Sequence, residues 1–204
     1  MKDVSSKFTI CVVGRSGSGK GTQAEILLSI LGKRAHHMET GRFFRELIQK
    51  YSNPTTRIAR TLMEHGKLFP WWFPVFAWLR EMIVEGAADK HFIFDGAPRR
   101  LEEVKLLDEV LTWHKRPKAL CIYLDVSEHT VTERLRARGR RDDADRAIKN
   151  RMRYFTRDVM PVIRYFEKRK RLIRVDGERD PAVVSKDIIR ILSRRLGSTW
   201  RTRS

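Results

Sequence analysis

Residues Cys11–Leu31 read CVVGRSGSGKGTQAEILLSIL. An apolar run ends at Val13, glycines follow at 14, 17, 19 and 21 around Lys20, and a periodic apolar pattern continues to Leu31. A short apolar run bounded by a turn signal reads as a strand buried on both faces, here Phe8 to Val13; the pattern after Lys20 reads as a helix stopped by Gly32. A glycine-rich turn between a strand and a helix lets backbone N–H groups converge on an anion. The helix N-terminus adds its positive end, and a lysine at its first turn reaches the terminal phosphates. Glycines after a strand can also make a bare turn, but the buried strand before and the helix after are the context a phosphate loop requires. Gly14 to Thr22 fits Gly-x4-Gly-Lys-Ser/Thr with one residue inserted, since Gly21 separates Lys20 from Thr22. The expected ligand is a nucleoside triphosphate, held by Gly17, Ser18, Gly19, Lys20, Gly21 and Thr22, with Thr22 near Mg2+.

The same strand-then-helix alternation runs through the chain. HFIFD (His91 to Asp95), ALCIYLD (Ala119 to Asp125) and RLIRVD (Arg171 to Asp176) read as further strands. Leu101 to His114 puts Val104, Leu107, Val110 and Leu111 on one helical face. Met152, Phe155, Val159 and Phe166 form a stripe on a long pattern that Pro161 should kink or divide. Short apolar strands alternating with helices predict an α/β fold with a parallel sheet covered on both faces, whose ligands sit at the carboxyl ends of the strands. Gly14, Asp95 and Asp125 fall at such ends. With 204 residues, 41% of them hydrophobic and 33% charged, one folded domain is expected rather than two domains or a disordered chain. The apolar run LFPWWFPVFAWL (Leu68 to Leu79) contains two prolines and is too short to cross a bilayer, which takes roughly 20 residues. The first residues show no signal-peptide pattern. Cys11 and Cys121 each lie in a strand-like run, which suits buried unpaired thiols and a cytoplasmic protein better than a disulfide. Lys and Arg number 43 against 25 Asp and Glu, a net charge of +18, which calls for anionic partners: nucleotides, nucleic acid or an anionic membrane surface.

The chain resembles the adenylate kinase branch of the nucleoside monophosphate kinases over about Phe8 to Ile191. GSGKGTQAE is close to that family's own loop. TGRFFREL (Thr40 to Leu47) is similar to the segment in which a threonine lies near the acceptor base and an arginine, here Arg45, grips the monophosphate. GKLFP (Gly66 to Pro70) resembles the loop lining that base. DGAPRRLEE (Asp95 to Glu103) resembles the strand-end motif whose aspartate organises Mg2+ through water and whose arginine binds phosphate; Asp95 and Arg99 take those positions. RLRARGRRDDADRAIKNRM looks like the lid and its return helix, placing Arg134, Arg138, Arg140 and Arg151 as phosphate- or base-contacting arginines. Residues 134 to 153 hold nine Arg or Lys against three Asp, a run that a solvated helix face would otherwise explain.

The resemblance implies a P-loop core near 8–38, 70–137 and 147–192, a helical acceptor-binding insertion near 39–69 and a short lid near 138–146; a basic tail follows at 193–204, whose end STWRTRS (Ser198 to Ser204) is expected to fray. It implies Lys20, Arg99, Arg138, Arg140 and Arg151 as the catalytic set. Arg134, Arg138 and Arg179 would join the loop in binding ATP, and Thr40, Gly41, Arg45, Phe69, Gly96, Arg99, Glu103, Arg140 and Arg151 would hold the monophosphate. Thr22 and, through water, Asp95 would face Mg2+. GRRDD replaces a longer insertion and carries no cysteine, so structural zinc is not expected. Phosphoryl transfer needs two anions aligned and the charge on the migrating group neutralised, which cations do; no general base is required, so His36, His37 and His65 are assigned none. A monomer is expected.

Five positions depart from the family pattern. Glu103 replaces a glutamine that reads adenine: an amide can donate to N1 and accept from N6, whereas an ionised carboxylate only accepts and suits the paired donors of guanine or the amine of cytosine. Either Glu103 turns aside and the backbone near Phe69 recognises adenine, a reading that Thr40 favours, or the acceptor is GMP or a pyrimidine monophosphate. Arg42 stands at a usually acidic place and Ala97 at a usual phenylalanine. Trp71 and Trp72 replace an acidic pair and are expected to pack inside the acceptor-binding part, with a sticky partner surface as the lesser option. From another class, a nucleotide-gated nucleic-acid-binding module would also use the net charge and exposed aromatics.

Overall fold

The structure, a computed structural model, describes residues 6–84, 89–139 and 144–201. Five strands form one parallel sheet in the order β2-β3-β1-β4-β5: β1 Thr9–Gly14, β2 Ala35–Glu39, β3 His91–Asp95, β4 Leu120–Asp125 and β5 Leu172–Asp176. Nine helices belong to the described residues: α1 Lys20–Leu31, α2 Thr40–Lys50, α3 Pro54–Glu64, α4 Trp72–Ile83, α5 Leu101–Trp113, α6 Glu128–Arg138, α7 Asp145–Tyr154, α8 Met160–Lys168 and α9 Pro181–Leu196.

The sheet is buried on both faces, which is why β1, β3 and β4 read as continuous apolar runs. Alternate residues serve separate cores. Ile10, Val12, Ile93, Ile122 and Leu124 meet Leu27 of α1 and Ile188 of α9 on one side. Cys11, Val13, Phe92, Phe94 and Tyr123 meet Trp78 of α4, Leu107 of α5 and Phe166 of α8 on the other. Cys11 and Cys121 are register partners on adjacent strands, both fully buried and both free. Burial pushes both thiols up, so they stay protonated packing groups.

The structure adds a strand that the sequence does not announce. AHHME pairs with β3 along its whole length as the edge strand β2, although its pattern has only one buried residue, Met38. An edge strand buries little and needs only backbone partners. The expected break near Pro161 takes the form of a π-helical turn, Phe155–Val159, after which α8 begins with Pro161 in its first turn. The wider turn absorbs the mismatch made by a residue with no N–H and a ring that collides with the carbonyl four positions back. It keeps Phe155, Val159 and Phe166 in one core.

Two expectations fail. The tail is not frayed as far as Trp200: its ring is fully buried against the core of α1 and α9, meets Phe8 edge-on at 5.9 Å, and donates its Nε1–H to Ser193 Oγ at 2.9 Å. Periodicity ends at Gly197, so the pattern hides this residue, yet an indole buries enough apolar area to fix a short end. Trp71 and Trp72 do not pack inside. They are 41% and 54% exposed, while Phe69 and Phe73 fill the small core under α2 and Trp78 enters the main one. No helix among the described residues is long and apolar enough to cross a membrane.

Candidate active site

At the carboxyl end of the sheet a cavity of about 650 Å3 opens between α1, α2, the segment joining α3 to α4, and α6 and α7. One end is the glycine loop. Gly17 and Gly19 take φ of 85° and 90°, in the left-handed region that costs glycine nothing. Gly17 is constrained twice, since a Cβ there would lie 2.9 Å from Val131 O and 3.0 Å from Leu135 Cγ of α6. The loop is closed by Ser18 N–H donating to Arg15 O at 3.1 Å. Lys20 Nζ donates to the same carbonyl at 2.7 Å, so the lysine lies across the loop. Desolvation, joined by Arg99, Arg138 and Arg151 and opposed by Asp95, lowers its pKa from 10.5 to about 8. A phosphate between these groups would favour the charged form further.

Asp95 ends β3 and faces the start of α1: a Cβ on Gly21 would sit 3.3 Å from its Oδ2. Beyond it Gly96, at φ 69°, turns the chain so that Arg99 Nε donates to Gly96 O at 2.5 Å. A Cβ on Gly96 would meet Arg99 Nη2 at 3.0 Å and Lys20 Cε at 3.5 Å, so the cations of the two motifs flank one glycine.

The other end of the cavity is built by α2 and the α3–α4 segment. Thr40 and Phe44 are buried, and Phe44 lies 4.2 Å from the Phe69 ring. Arg45 Nη2 donates to Glu39 Oε1 at 2.8 Å. Gly66, at φ 60°, brings this segment onto α7: a Cβ there would lie 2.5 Å from Ala147 O, and Asn150 Nδ2 donates to His65 O at 2.9 Å. Glu103, only 2% exposed, accepts Arg99 N–H on Oε2 at 3.0 Å. Burial outweighs that hydrogen bond and the nearby arginines, raising its pKa from 4.5 to about 7.

The remaining wall carries Arg134, Arg138, Arg151 and Tyr154. Arg134 donates to Gly177 O and Glu178 O at 3.2 Å each, tying α6 to the β5–α9 loop, and Tyr154 Oη shares a 3.3 Å hydrogen bond with Ser16 Oγ.

Gly17, Gly19, Lys20, Gly21, Thr22, Thr40, Gly41, Arg45, Phe69, Asp95, Gly96, Arg99, Glu103, Arg134, Arg138 and Arg151 thus line one space. Two of the expected residues do not. Ser18 points inward, its Oγ buried beneath the loop. Arg179 is not in the cavity lining; Asp176 at the end of β5 holds it at 3.1 Å and Asp187 of α9 at 2.7 Å. Arg140 lies outside the described residues. The structure adds Glu39, Lys67 and Tyr154 to the lining. Glu39 had a sequence signal, standing directly before TGRFFREL. Tyr154 had none, since its position depends on how α7 enters the π turn.

No cluster of three or more His, Cys, Asp or Glu able to hold a metal occurs among the described residues. One carboxylate, Asp95, beside the exposed Thr22 at the head of α1 suits Mg2+ that keeps most of its waters and arrives on phosphates, as this ion prefers.

A family model described as "Adenylate kinase" matches residues 12–171. Curated relatives named "Adenylate kinase" include one from Prochlorococcus marinus, 32% identical over 182 residues that make up 89% of this chain and 97% of the relative. One from Nocardia farcinica is 34% identical over 91% of this chain and 99% of its own length, and one from Corynebacterium urealyticum is 34% identical over 83% and 90%. A parallel P-loop sheet, a cavity walled by both motifs and full-length likeness to these phosphotransferases agree: the chain belongs to the adenylate kinase family.

Proposed function

We propose that the protein transfers the γ-phosphoryl group of ATP reversibly to AMP, giving two ADP. The observation that carries this reading is the meeting of Lys20 and Arg99 over Gly96, in one cavity lined by both the glycine loop and Thr40, Phe44 and Phe69. The loop and Lys20 hold the donor phosphates. Arg45 and Arg99 take the acceptor phosphate, with Thr40, Gly41, Phe69, Gly96 and Glu103 around its sugar and base. Arg138, Arg140 and Arg151 neutralise the migrating group, and Arg134 supports the donor side from α6. Mg2+, carried by ATP beside Thr22 and Asp95, neutralises charge on the donor phosphates when bound. Alignment of two reactants contributes on the order of 7–11 kcal/mol, and an arginine on a transferring phosphoryl group roughly 10³–10⁵ in rate. The acceptor is already an anion near neutral pH, so no side chain has to remove a proton.

A second reading of the acceptor follows from Glu103. With Oε2 held by Arg99 N–H, Oε1 is the oxygen left for a base. Protonated, it donates to N1 of adenine as an amide would; ionised, it accepts from the N–H groups of guanine. A group with a pKa of about 7 offers both forms near neutrality. Steady-state turnover with ATP and each of AMP, GMP, CMP and UMP decides: the AMP reading requires the highest kcat/KM with AMP, and a higher value with GMP overturns it.

A further inference from the structure

The end of the sheet opposite the nucleotide cavity carries a second concentration of positive charge. In a parallel βαβ chain each helix returns to the end where the next strand starts, so helix C-termini and strand N-termini gather there. α5 and α8 pack side by side, joined by Tyr165 Oη–H donating to Asp108 Oδ2 at 2.7 Å. They lead into β4 and β5, neighbours in the sheet, where Cys121 N–H donates to Arg171 O at 2.9 Å. The two exits therefore lie beside each other. The first presents Trp113, Lys115 and Lys118, the second Lys168, Arg169 and Lys170, all exposed, although Lys118 Nζ also donates to Asp108 O of α5 at 2.6 Å. Arg195 of α9 joins them by donating to Lys170 O at 2.8 Å. Two of the acids here are occupied: Arg171 grips both oxygens of Asp108 at 2.7 and 2.6 Å, and Glu167 faces Arg174 at 3.7 Å.

Cations at helix C-termini also complement the helix dipole, which would explain the lysines alone. Two features go beyond it. Lys115 and Lys170 take φ of 54° and 56°, just past the ends of α5 and α8, where glycine or asparagine would fit with less strain. Trp113, at 77%, is the most exposed large hydrophobic residue among those described, and it meets only His114 edge-on at 4.6 Å. A single indole is too little apolar surface to enter a bilayer, but one ring face is what a nucleic-acid base needs to stack on. Arg169 adds a flat guanidinium lying 3.6 Å over the Tyr165 ring.

We propose that this corner binds single-stranded nucleic acid, with backbone phosphates on the exposed cations of the two helix exits and a base stacked on Trp113. Phosphate and base stacking are common to both polymers, so RNA and DNA share the chemistry. The test is fluorescence anisotropy of the full chain with labelled oligouridylate and oligothymidylate of about twelve nucleotides, a length within single-strand site sizes. It is run in saturating Mg-ATP with AMP, which together fill both ends of the nucleotide cavity, from about 50 to about 200 mM salt. Binding is expected to persist with both nucleotides and to weaken with salt. Lys115→Asn with Lys170→Asn, which keeps a residue tolerant of left-handed backbone, should reduce the magnitude of the log K against log salt slope by about 1.4, about 0.7 for each lost phosphate contact. Trp113→Ser should weaken binding about tenfold, as loss of one stacked base does. Kinase turnover should be unchanged in both variants. A strand preference names the physiological polymer. The proposal is overturned if neither oligonucleotide binds at the lower salt, if the nucleotides displace them, if the variants bind as tightly as wild type, or if only phosphatidylserine vesicles bind.

Discussion

Replacing Glu103 by glutamine keeps the shape of the side chain and an oxygen for Arg99 N–H, and removes only the ability to ionise. The carboxyl is 2% exposed and its pKa stands at about 7 against an ordinary 4.5. A carboxyl raised on folding is neutral in both states at low pH. As pH climbs past the unfolded value the unfolded chain releases its proton first, so stability falls until the folded group also ionises. A gap of about 2.5 units at about 1.36 kcal/mol each makes the full penalty about 3 kcal/mol, reached near pH 8, with only about 1 kcal/mol of it present at pH 5.5. Glu103→Gln should therefore match wild type near pH 4.5, exceed it by about 1 kcal/mol at pH 5.5 and by about 3 kcal/mol at pH 8.5. At roughly 2–4 °C per kcal/mol for a chain of this size, the last figure is a rise of about 6–12 °C in Tm. Urea titrations of the nucleotide-free proteins at the three pH values measure this directly, because effects common to both chains cancel. A stability difference that stays flat with pH would refute the claim that Glu103 is buried as an acid. In the same variant kcat/KM for AMP should lose any decline that wild type shows as pH rises through about 7.

Arg138→Ala should lower kcat by about 10³ or more while changing the unfolding free energy by no more than about 1 kcal/mol, the pattern of a charge whose main use is in transfer; near wild-type turnover would remove the lid arginine from the mechanism. Glu39→Gln should lower KM for the monophosphate by up to about fivefold, because the half-exposed Glu39–Arg45 pair is worth no more than about 1 kcal/mol and Arg45 would no longer have to leave an ionised partner; an unchanged or raised KM would mean that Glu39 orients Arg45 for phosphate. Trp200→Ala should destabilise the fold by about 3–5 kcal/mol, as removal of a fully buried indole does; a loss below about 1 kcal/mol in a urea titration would mean the C-terminal turn is not docked.

The legible parts of this fold are those where local pattern and burial coincide. α1 begins at Lys20 and ends at Leu31, and β3 spans His91–Asp95, both as the spacing predicts, because a strand buried on two faces must be apolar throughout and a helix on a sheet must repeat its apolar positions. β2 escapes because its ladder needs backbone alone. Trp200 escapes because it docks by a single side chain after a glycine, leaving no period to detect. The site divides in the same way. The loop glycines and Lys20 are contiguous, and their turn geometry makes them readable. Arg179 is implied as an ATP contact without a motif of its own, and in the ligand-free protein aspartates three positions before it and eight after it hold the side chain. Such competition is invisible until the turn's shape is known.

That competition bears on how the site works. Lys20 donates to the Arg15 carbonyl, Arg45 to the Glu39 carboxylate, Arg99 to the Gly96 carbonyl, and Arg134 to the carbonyls of Gly177 and Glu178. In the ligand-free protein these cations already hold protein oxygens. A phosphate must then replace one oxygen with another, and the net gain per contact is the difference between them rather than the whole of a charge-assisted hydrogen bond. Carbonyls are weak competitors for a guanidinium or ammonium, so Lys20 and Arg99 favour phosphate strongly once the site is dry. Glu39 is a full charge, so Arg45 gives up its partner only for an anion that the neighbouring pocket also holds. On the proposed assignment of donor and acceptor this grades the site: the donor side would take polyphosphate readily, and the acceptor side would reward a phosphate that brings a base into the space lined by Thr40 and Phe69. A free inorganic phosphate meets the Glu39–Arg45 pair without that second hold, so the arrangement disfavours it at the acceptor position without any steric barrier.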